Sequence, residues 1–341
     1  MSDNNENFTV KKVEELFRDA ILVKDNKVRE VRRNGNYFIK FDHRANHGFA
    51  REFATAQKLR RAGIPVVDHL FYGRGANGNY LVTGAFVGSV DVATYLRNHV
   101  PELKFFERIA DMQTSMLKKG FLHTDFHMGN LLYNEAQDSF ALVDVRKIRQ
   151  MPLWLMNTLP ELVRFQGLLE FRKILHRGEL FKIFRRAGVT NPGKFYEDMF
   201  TEDNQALRDE WPRRRRQILS GYLKFTRKVD NVLYNSHATE EELASAVKIS
   251  GGKAAFLAGF FLDMANIPHR QLLKYELDTG TAYAAPECTV QPGGEAAIEM
   301  MTRLNFYDIP STPSDWSQPD KGLPQLRNLN RVAGESFILE D

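Results

Sequence analysis

The stretch GFLHTDFHMGNLLY, residues 120–133, sets His123, Asp125, His127 and Asn130 between two apolar runs. The spacing is H-x-D-x-x-x-x-N. Asp144 lies 19 residues past Asp125, after a second apolar run, FALV. Loop, strand, turn, strand, carboxylate is hairpin spacing, and it brings Asp125, Asn130 and Asp144 to the same end of one small sheet. Phosphoryl transfer from ATP needs such a set: a carboxylate to orient the attacking hydroxyl, and an amide with a second carboxylate to hold Mg²⁺ between the phosphates. Oxygen donors suit that hard cation, which takes one or two carboxylates and completes its shell with phosphate and water. Asp125 is the candidate base; Asn130 and Asp144 are the candidate metal ligands.

A strand and a helix upstream supply the other half. Lys40 ends the strand NYFIK, from which a lysine reaches the α/β phosphates. Glu52 follows on the helix FAREFATAQKL, where a Lys–Glu pair would keep the ammonium charged and aimed. The chain order is Lys, Glu, His-x-Asp-x4-Asn, Asp. Each residue has a plainer reading. His123 braces the loop backbone; His127 serves substrate, phosphate or loop support. Asp125 and Asp144 could be turn and strand-end residues, and Lys40 and Glu52 solvated charges. Zinc held by His123 and His127 would need a helix and a third ligand, and Gly129 breaks that context.

Three blocks must position these residues. From about 20 to 85 the chain alternates in β fashion with one helix inserted. Asn34-Gly35 reads as a hairpin turn, and Phe49, Phe53, Ala56 and Leu59 fall at helical spacing before a stop at Gly63. From about 90 to 237 the chain reads as mainly helical. Asp91 caps one helix, and PELKFFERIADMQTSMLKKG forms another that ends at Gly120. Long basic amphipathic helices follow over LPELVRFQGLLEFRKILHRGELFKIFRRAG and around WPRRRRQILSGYLKFTRKVDN. From about 238 the pattern is less regular. TEEELASAVKIS opens a capped helix, and from Asn305 the tail gathers Pro310, Pro313, Pro319 and Pro324 and reads as extended or partly disordered.

The bulk numbers agree with a globular chain of two or three domains or lobes. Of 341 residues, 43% are hydrophobic and 26% charged. One cysteine, Cys288, excludes a disulfide framework and a Cys-rich zinc site, and fits a reducing cytoplasm. The start, MSDNNENFTVKK, lacks the apolar core of a secretory signal. The most apolar window, Ala254–Leu262, closes at Asp263, far short of the roughly 20 residues that span a bilayer, and reads as a buried helix. A net charge of +4 suits an anionic ligand or surface. The run Arg213–Arg216, with Lys182, Arg185 and Arg186, is a solvated face or a contact for an anionic sugar lipid or membrane. No interleaved aromatics or known module accompany it, so nucleic acid is not expected.

The phrases AREFATAQKLRRAGIPVVDHLFYG, GFLHTDFHMGNLLYN and FALVDVRKIR, followed by the Arg-rich helical run, resemble the protein-kinase-like superfamily. Within it they look closest to the bacterial lipopolysaccharide kinases that phosphorylate Kdo or core heptose. The resemblance covers about residues 20–237. It implies an α+β, two-lobed fold: a β-rich N-lobe over 1–85, a larger helical C-lobe over 86–237, and a C-terminal helical extension with a Pro-containing tail over 238–341. ATP would sit between the lobes near Thr83–Val87, with Mg²⁺. The acceptor would be a sugar of the lipopolysaccharide core, an anionic glycolipid met at the cytoplasmic face of the inner membrane.

Three departures stand out. No G-x-G-x-x-G precedes Lys40; the equivalent turn reads as VREVRRNGNY, which leaves nucleotide grip to Arg32 or Arg33. The D-F-G triplet is Asp144-Val145-Arg146. Ala285-Pro286-Glu287 spells a kinase triplet too far downstream to serve as one. Two alternatives follow: a small-molecule phosphotransferase of the aminoglycoside or choline type, and a non-catalytic pseudokinase.

Overall fold

The computed structural model describes residues 8–25, 29–44, 48–265, 267–287, 290, 292–307, 309–319 and 323–339, so Cys288 lies outside the described residues. The chain divides into two compact units, Met1–Glu170 and Phe171–Asp341.

In the first unit, α1 (Val10–Arg18) starts where the Thr9 hydroxyl accepts from the Lys12 N–H at 3.3 Å. Strands β1 (Ile21–Asp25), β2 (Arg29–Asn34) and β3 (Tyr37–Asp42) follow. Helix α2 (Gly48–Arg61) precedes β4 (His69–Gly75) and β5 (Gly78–Gly84), and the five strands form an antiparallel sheet in the order β1-β2-β3-β5-β4. The residue period of two sends Ile39 and Phe41 to one face, where they pack with Val13 and Phe17 of α1, Tyr80 and Val82. Lys40 is left on the face covered by α2. Helix α1 lies ahead of the blocks read from the sequence, although Val10, Val13, Leu16 and Phe17 fall at helical spacing on one face.

Asn34 pairs with Tyr37, so the hairpin turn is Gly35-Asn36, with Gly35 at φ +54. This turn joins β2 to β3. The expectation that it replaces a glycine-rich phosphate loop one connection earlier is therefore displaced: the β1–β2 connection is residues 26–28, outside the described residues, and its sequence Asn-Lys-Val holds no glycine. Arg32 is committed to Glu30 at 2.7 Å and stacks on Phe17, and Arg33 donates to the Gly35 carbonyl at 3.1 Å. Arg32 is thus tied to its neighbours, while Arg33 stays exposed.

The rest of the first unit is β6 (Ser89–Asp91), α3 (Val92–Asn98), α4 (Leu103–Lys118), β7 (Phe121–His123), β8 (Leu131–Asn134), β9 (Ser139–Leu142), β10 (Ile148–Gln150), α5 (Leu153–Met156) and α6 (Glu161–Arg164). Asp91 caps α3 through Thr94 N–H at 2.8 Å. Helix α4 buries Phe105, Phe106, Ile109, Ala110, Met116 and Leu117. Strands β6, β8 and β9 form one small sheet, and β7 pairs with β10. The chain between α2 and β4 is stitched to β9 by Val67 N–H to Leu142 O (3.0 Å) and Leu142 N–H to Pro65 O (3.1 Å). This β-rich N-terminal sheet followed by a mainly helical stretch is the two-lobed, α+β, kinase-like architecture that the resemblance implies.

The second unit departs from expectation. The long amphipathic helix over 159–188 is broken: α6 and a 3₁₀ segment, Gln166–Lys173, lead to a separate α7 (Arg177–Ala187). Helix α8 (Pro192–Leu219) then runs through Pro212. Its arginine run is not one solvated face. Arg213 and Arg214 pair with Glu210 at 3.3 and 2.8 Å, and Arg215 is buried.

Strands β11 (Thr226–Val229) and β12 (Val232–Asn235) follow, then α9 (Glu240–Ala244) with a Thr239–Glu242 capping box, and β13 (Val247–Ile249). Helix α10 (Gly252–Ala265) and strands β14 (Leu272–Glu276) and β15 (Thr281–Ala284) complete an antiparallel sheet in the order β11-β12-β14-β15-β13. So a sheet, not only helices, occupies the region expected to be a helical extension. Helix α10, the apolar window, is buried against β14 and β15 as expected. A Cβ on Gly259 would fall 2.3 Å from Leu272 Cδ2, so only glycine lets the helix approach β14 this closely. Beyond α11 (Gly294–Asn305), the tail is packed rather than loose, since Trp316, Leu326, Val332 and Ile338 are fully buried. Among the described residues no helix is long and apolar enough to cross a membrane.

Candidate active site

Lys40 sits mid-sheet, paired with Val31 on one side and Leu81 on the other. Its Nζ donates to Glu52 Oε1 at 2.6 Å. The buried stripe of α2 is Phe49, Glu52, Ala56 and Leu59, so Glu52 takes the inward place that the apolar pattern gave to Phe53. Glu52 is 1% exposed. Burial disfavours its charge, but Lys40 and His69 overcome that cost and hold the carboxyl down at about 2. His69 enters from β4: its Nε2 lies 3.6 Å from the same carboxylate oxygen, and its Nδ1 lies 2.9 Å from Val67 O.

The second cluster hangs on the ends of two hairpin pairs. Ile148 pairs with His123, and Leu131 with Leu142. The loop from His123 to Asn130 is braced from inside. Asp125 N–H donates to His123 Nδ1 at 3.2 Å, Asn130 Nδ2 donates to Asp125 O at 3.0 Å, and Thr124 donates through N–H and hydroxyl to Lys147 O at 3.3 and 2.9 Å. His123 accepts at Nδ1, so in its neutral form the proton is on Nε2, which is buried without a partner. Burial pushes this imidazole down to about 4, against the pull of Asp125 and Asp144. A neutral, enclosed ring edge-on to Phe126 (5.5 Å between centroids) supports the bracing reading of His123. His127 is exposed, on the loop surface beside Gly129.

Val143 N–H donates to Asn130 O at 2.9 Å, which sets Asp144 next to Asn130. Asp144 adopts a left-handed conformation (φ 48, ψ 55), a region aspartate tolerates better than most residues and one that marks functional turns. Its half-buried carboxylate makes no hydrogen bond or ion pair among the described residues. With the Asn130 amide nitrogen engaged on Asp125 O, the Asn130 amide oxygen is the group left to accept. An amide oxygen and an unpaired carboxylate on neighbouring stretches of backbone are donor types that suit a hard cation whose other ligands are phosphate and water. Among the described residues no group of three or more His, Cys, Asp and Glu could hold a metal ion.

The two clusters meet through α2. The helix that carries Glu52 packs against the turn Val145–Lys147, which begins at Asp144. Thus Asp125, Asn130 and Asp144 converge, and the Lys40–Glu52 pair is formed on an element that touches their turn. Sequence reasoning missed two residues here. His69 has no local signal, because it reaches Glu52 only through the sheet. Lys147 Nζ stands 4.0 Å from Asp125 Oδ2. Its signal was its place in VRKI, opposite the His123–Asn130 loop once β7 and β10 pair.

A β3 lysine paired to a helix glutamate, an H-x-D-x4-N loop and a downstream aspartate on a hairpin are parts that protein-kinase-like phosphotransferases use. Residues 8–159 match the model of the Lipopolysaccharide kinase (Kdo/WaaP) family, the family that the sequence phrases resemble. No curated protein matches the chain. Solved structures that it resembles include monomeric WbdD (21% identity, TM-score 0.31, 38% of this chain and 35% of that one) and WbdD with the kinase inhibitor LY294002 (18%, 0.33, 48% and 44%). A third is described as the bifunctional kinase-methyltransferase WbdD (18%, 0.32, 47% and 42%). The chain therefore spans less than half the length of these structures.

Proposed function

We propose that this protein transfers the γ-phosphoryl group of ATP to a hydroxyl of a lipopolysaccharide core sugar. The observation that carries the reading is the ion pair between the half-buried Lys40 of β3 and the buried Glu52 of α2, a helix packed against the turn that begins at Asp144. A scaffold without catalysis has no need to bury the Glu52 charge against Lys40 and leave the Asp144 carboxylate unpaired. Lys40 orients the α/β phosphates, and Glu52, fixed by burial and His69, keeps the ammonium aimed. Asn130 and Asp144 would hold Mg²⁺, which would supply positive charge against the phosphates. Asp125, positioned by His123 and Asn130, accepts the proton of the attacking hydroxyl. His127, exposed at the mouth of the loop, contacts substrate or phosphate. Lys147 holds positive charge near Asp125. The lobes are taken as 1–85 and 86–237 with a further region from 238. The basic surface of α7, with Arg216 of α8, meets an anionic glycolipid at the cytoplasmic face of the inner membrane.

The absence of glycine between β1 and β2 favours one competing reading, a pseudokinase. The test adds γ-labelled ATP and Mg²⁺ to the purified protein with a bacterial envelope-plus-cytosol extract, and separates lipopolysaccharide, protein and small-molecule fractions. Label in lipopolysaccharide that Asp125→Asn abolishes supports the proposal. Label in the small-molecule fraction points to an aminoglycoside- or choline-like acceptor. No Asp125-dependent label in any fraction favours the pseudokinase.

A further inference from the structure

The second unit contains a cleft of about 570 Å³ whose lining includes Lys248, Arg270, Arg327 and Arg331. Two carboxylates face them, Glu287 and Asp315. Neither neutralises the cleft. Glu287 is shared: Arg327 Nη1 holds one oxygen at 3.1 Å, and Arg270 Nη1 stands 3.9 Å from the other. Asp315 is consumed by its own neighbours, accepting from Thr312 N–H (2.8 Å), Asn328 Nδ2 (2.7 Å) and Arg331 Nε (3.0 Å). Arg270 is largely buried and anchored by Nε to Ala285 O at 2.6 Å. Burial pushes its guanidinium down, against the pull of Glu287. Lys248, on the edge strand β13, is exposed and makes no ion pair among the described residues.

We propose that this cleft binds a phosphomonoester, carried either by a small solute or by a glycolipid. Four cations against two carboxylates leave two positive charges, which a phosphate dianion matches. Guanidinium forks present paired N–H groups to phosphate oxygens, and Arg270 and Arg327 are already held in place by backbone carbonyls, Arg327 through Ser314 O at 2.9 Å. The volume suits a phosphate with a sugar-sized body. Every lining residue lies outside residues 8–159, so the inference does not rest on the kinase reading.

The test is calorimetry on the full chain, saturated with Mg²⁺ and a non-hydrolysable ATP analogue. Inorganic phosphate, glucose 6-phosphate, and phosphorylated lipid A in detergent micelles are titrated, with glucose and dephosphorylated lipid A as controls. Phosphate-dependent binding that Lys248→Glu weakens about tenfold, with no change in Tm, supports the site, as does a similar loss in Arg270→Gln. Preference for the lipid or for the solutes identifies the source. Binding that both variants leave unchanged, or no phosphate-dependent binding at millimolar concentration, overturns the proposal. Because both variants lie in the second unit, failure of the Lys40 site to bind the analogue would not alter what they report.

Discussion

Glu52 is the residue on which the first half of the site turns, because a carboxylate this buried keeps its charge only with a partner. Removing Lys40 leaves that charge inside with only His69 nearby. Lys40→Met should cost about 3 kcal/mol of stability in urea unfolding, and Lys40→Met/Glu52→Leu should recover most of it. Equal losses in the two variants would contradict the pairing. Asp144→Asn keeps the left-handed turn but removes the carboxylate charge, so it should leave Tm nearly unchanged and abolish Mg²⁺-dependent ATP binding. Unchanged nucleotide affinity at saturating Mg²⁺ would sink Asp144 as a ligand.

Glu52 and His123 also make the site sensitive to acid. Glu52 lies at about 2 against an ordinary 4.5, so its stabilisation is complete above pH 4.5 and fades toward pH 2. His123 lies at about 4 against 6.5, so the unfolded chain takes up that proton first and stability falls from pH 6.5 to about 4. Each contributes roughly 3 kcal/mol across its window. His123→Gln should flatten unfolding stability between pH 6.5 and 4.5 and leave the lower limb. A variant that keeps the wild-type slope in the upper window would remove His123 as its source. At this scale Lys40, Glu52, Asp125, Asn130 and Asp144 were legible because spacing on strand, helix and loop is local information. His69 and Lys147 were not, since each reaches its carboxylate through strand pairing that no local window contains.

At the scale of elements, legibility followed the strength of the period. Helices α2, α3, α4 and α10 carried clear caps or apolar stripes and stand where the pattern put them. The second sheet did not show itself because its strands are short and poorly alternating: β11 buries only Thr226, and β13 has no fully buried residue. What holds it is α10, whose Gly259 admits Leu272. Gly259→Val should therefore destabilise the protein by about 2 kcal/mol through overpacking, read by thermal unfolding. A neutral effect would mean that the helix does not sit this close to β14. The proline-rich tail misled for a related reason, since prolines that end regular structure do not prevent Trp316 and Leu326 from being buried.

At the scale of the whole molecule, the family match and the converging residues fall in the first unit, while the unexpected sheet and the basic cleft fall in the second. The proposed chemistry therefore stands on the first unit, and the second supplies candidates for what is recognised. The most direct measurement compares wild type with Asp125→Asn under single-turnover conditions, following Mg²⁺-dependent ATP binding and γ-phosphoryl transfer to lipopolysaccharide in the same samples. If Asp125 is the base, the variant binds ATP as wild type does while transfer falls by at least about 100-fold. Transfer at the wild-type rate, or no transfer by either protein to any lipopolysaccharide acceptor, would contradict the account.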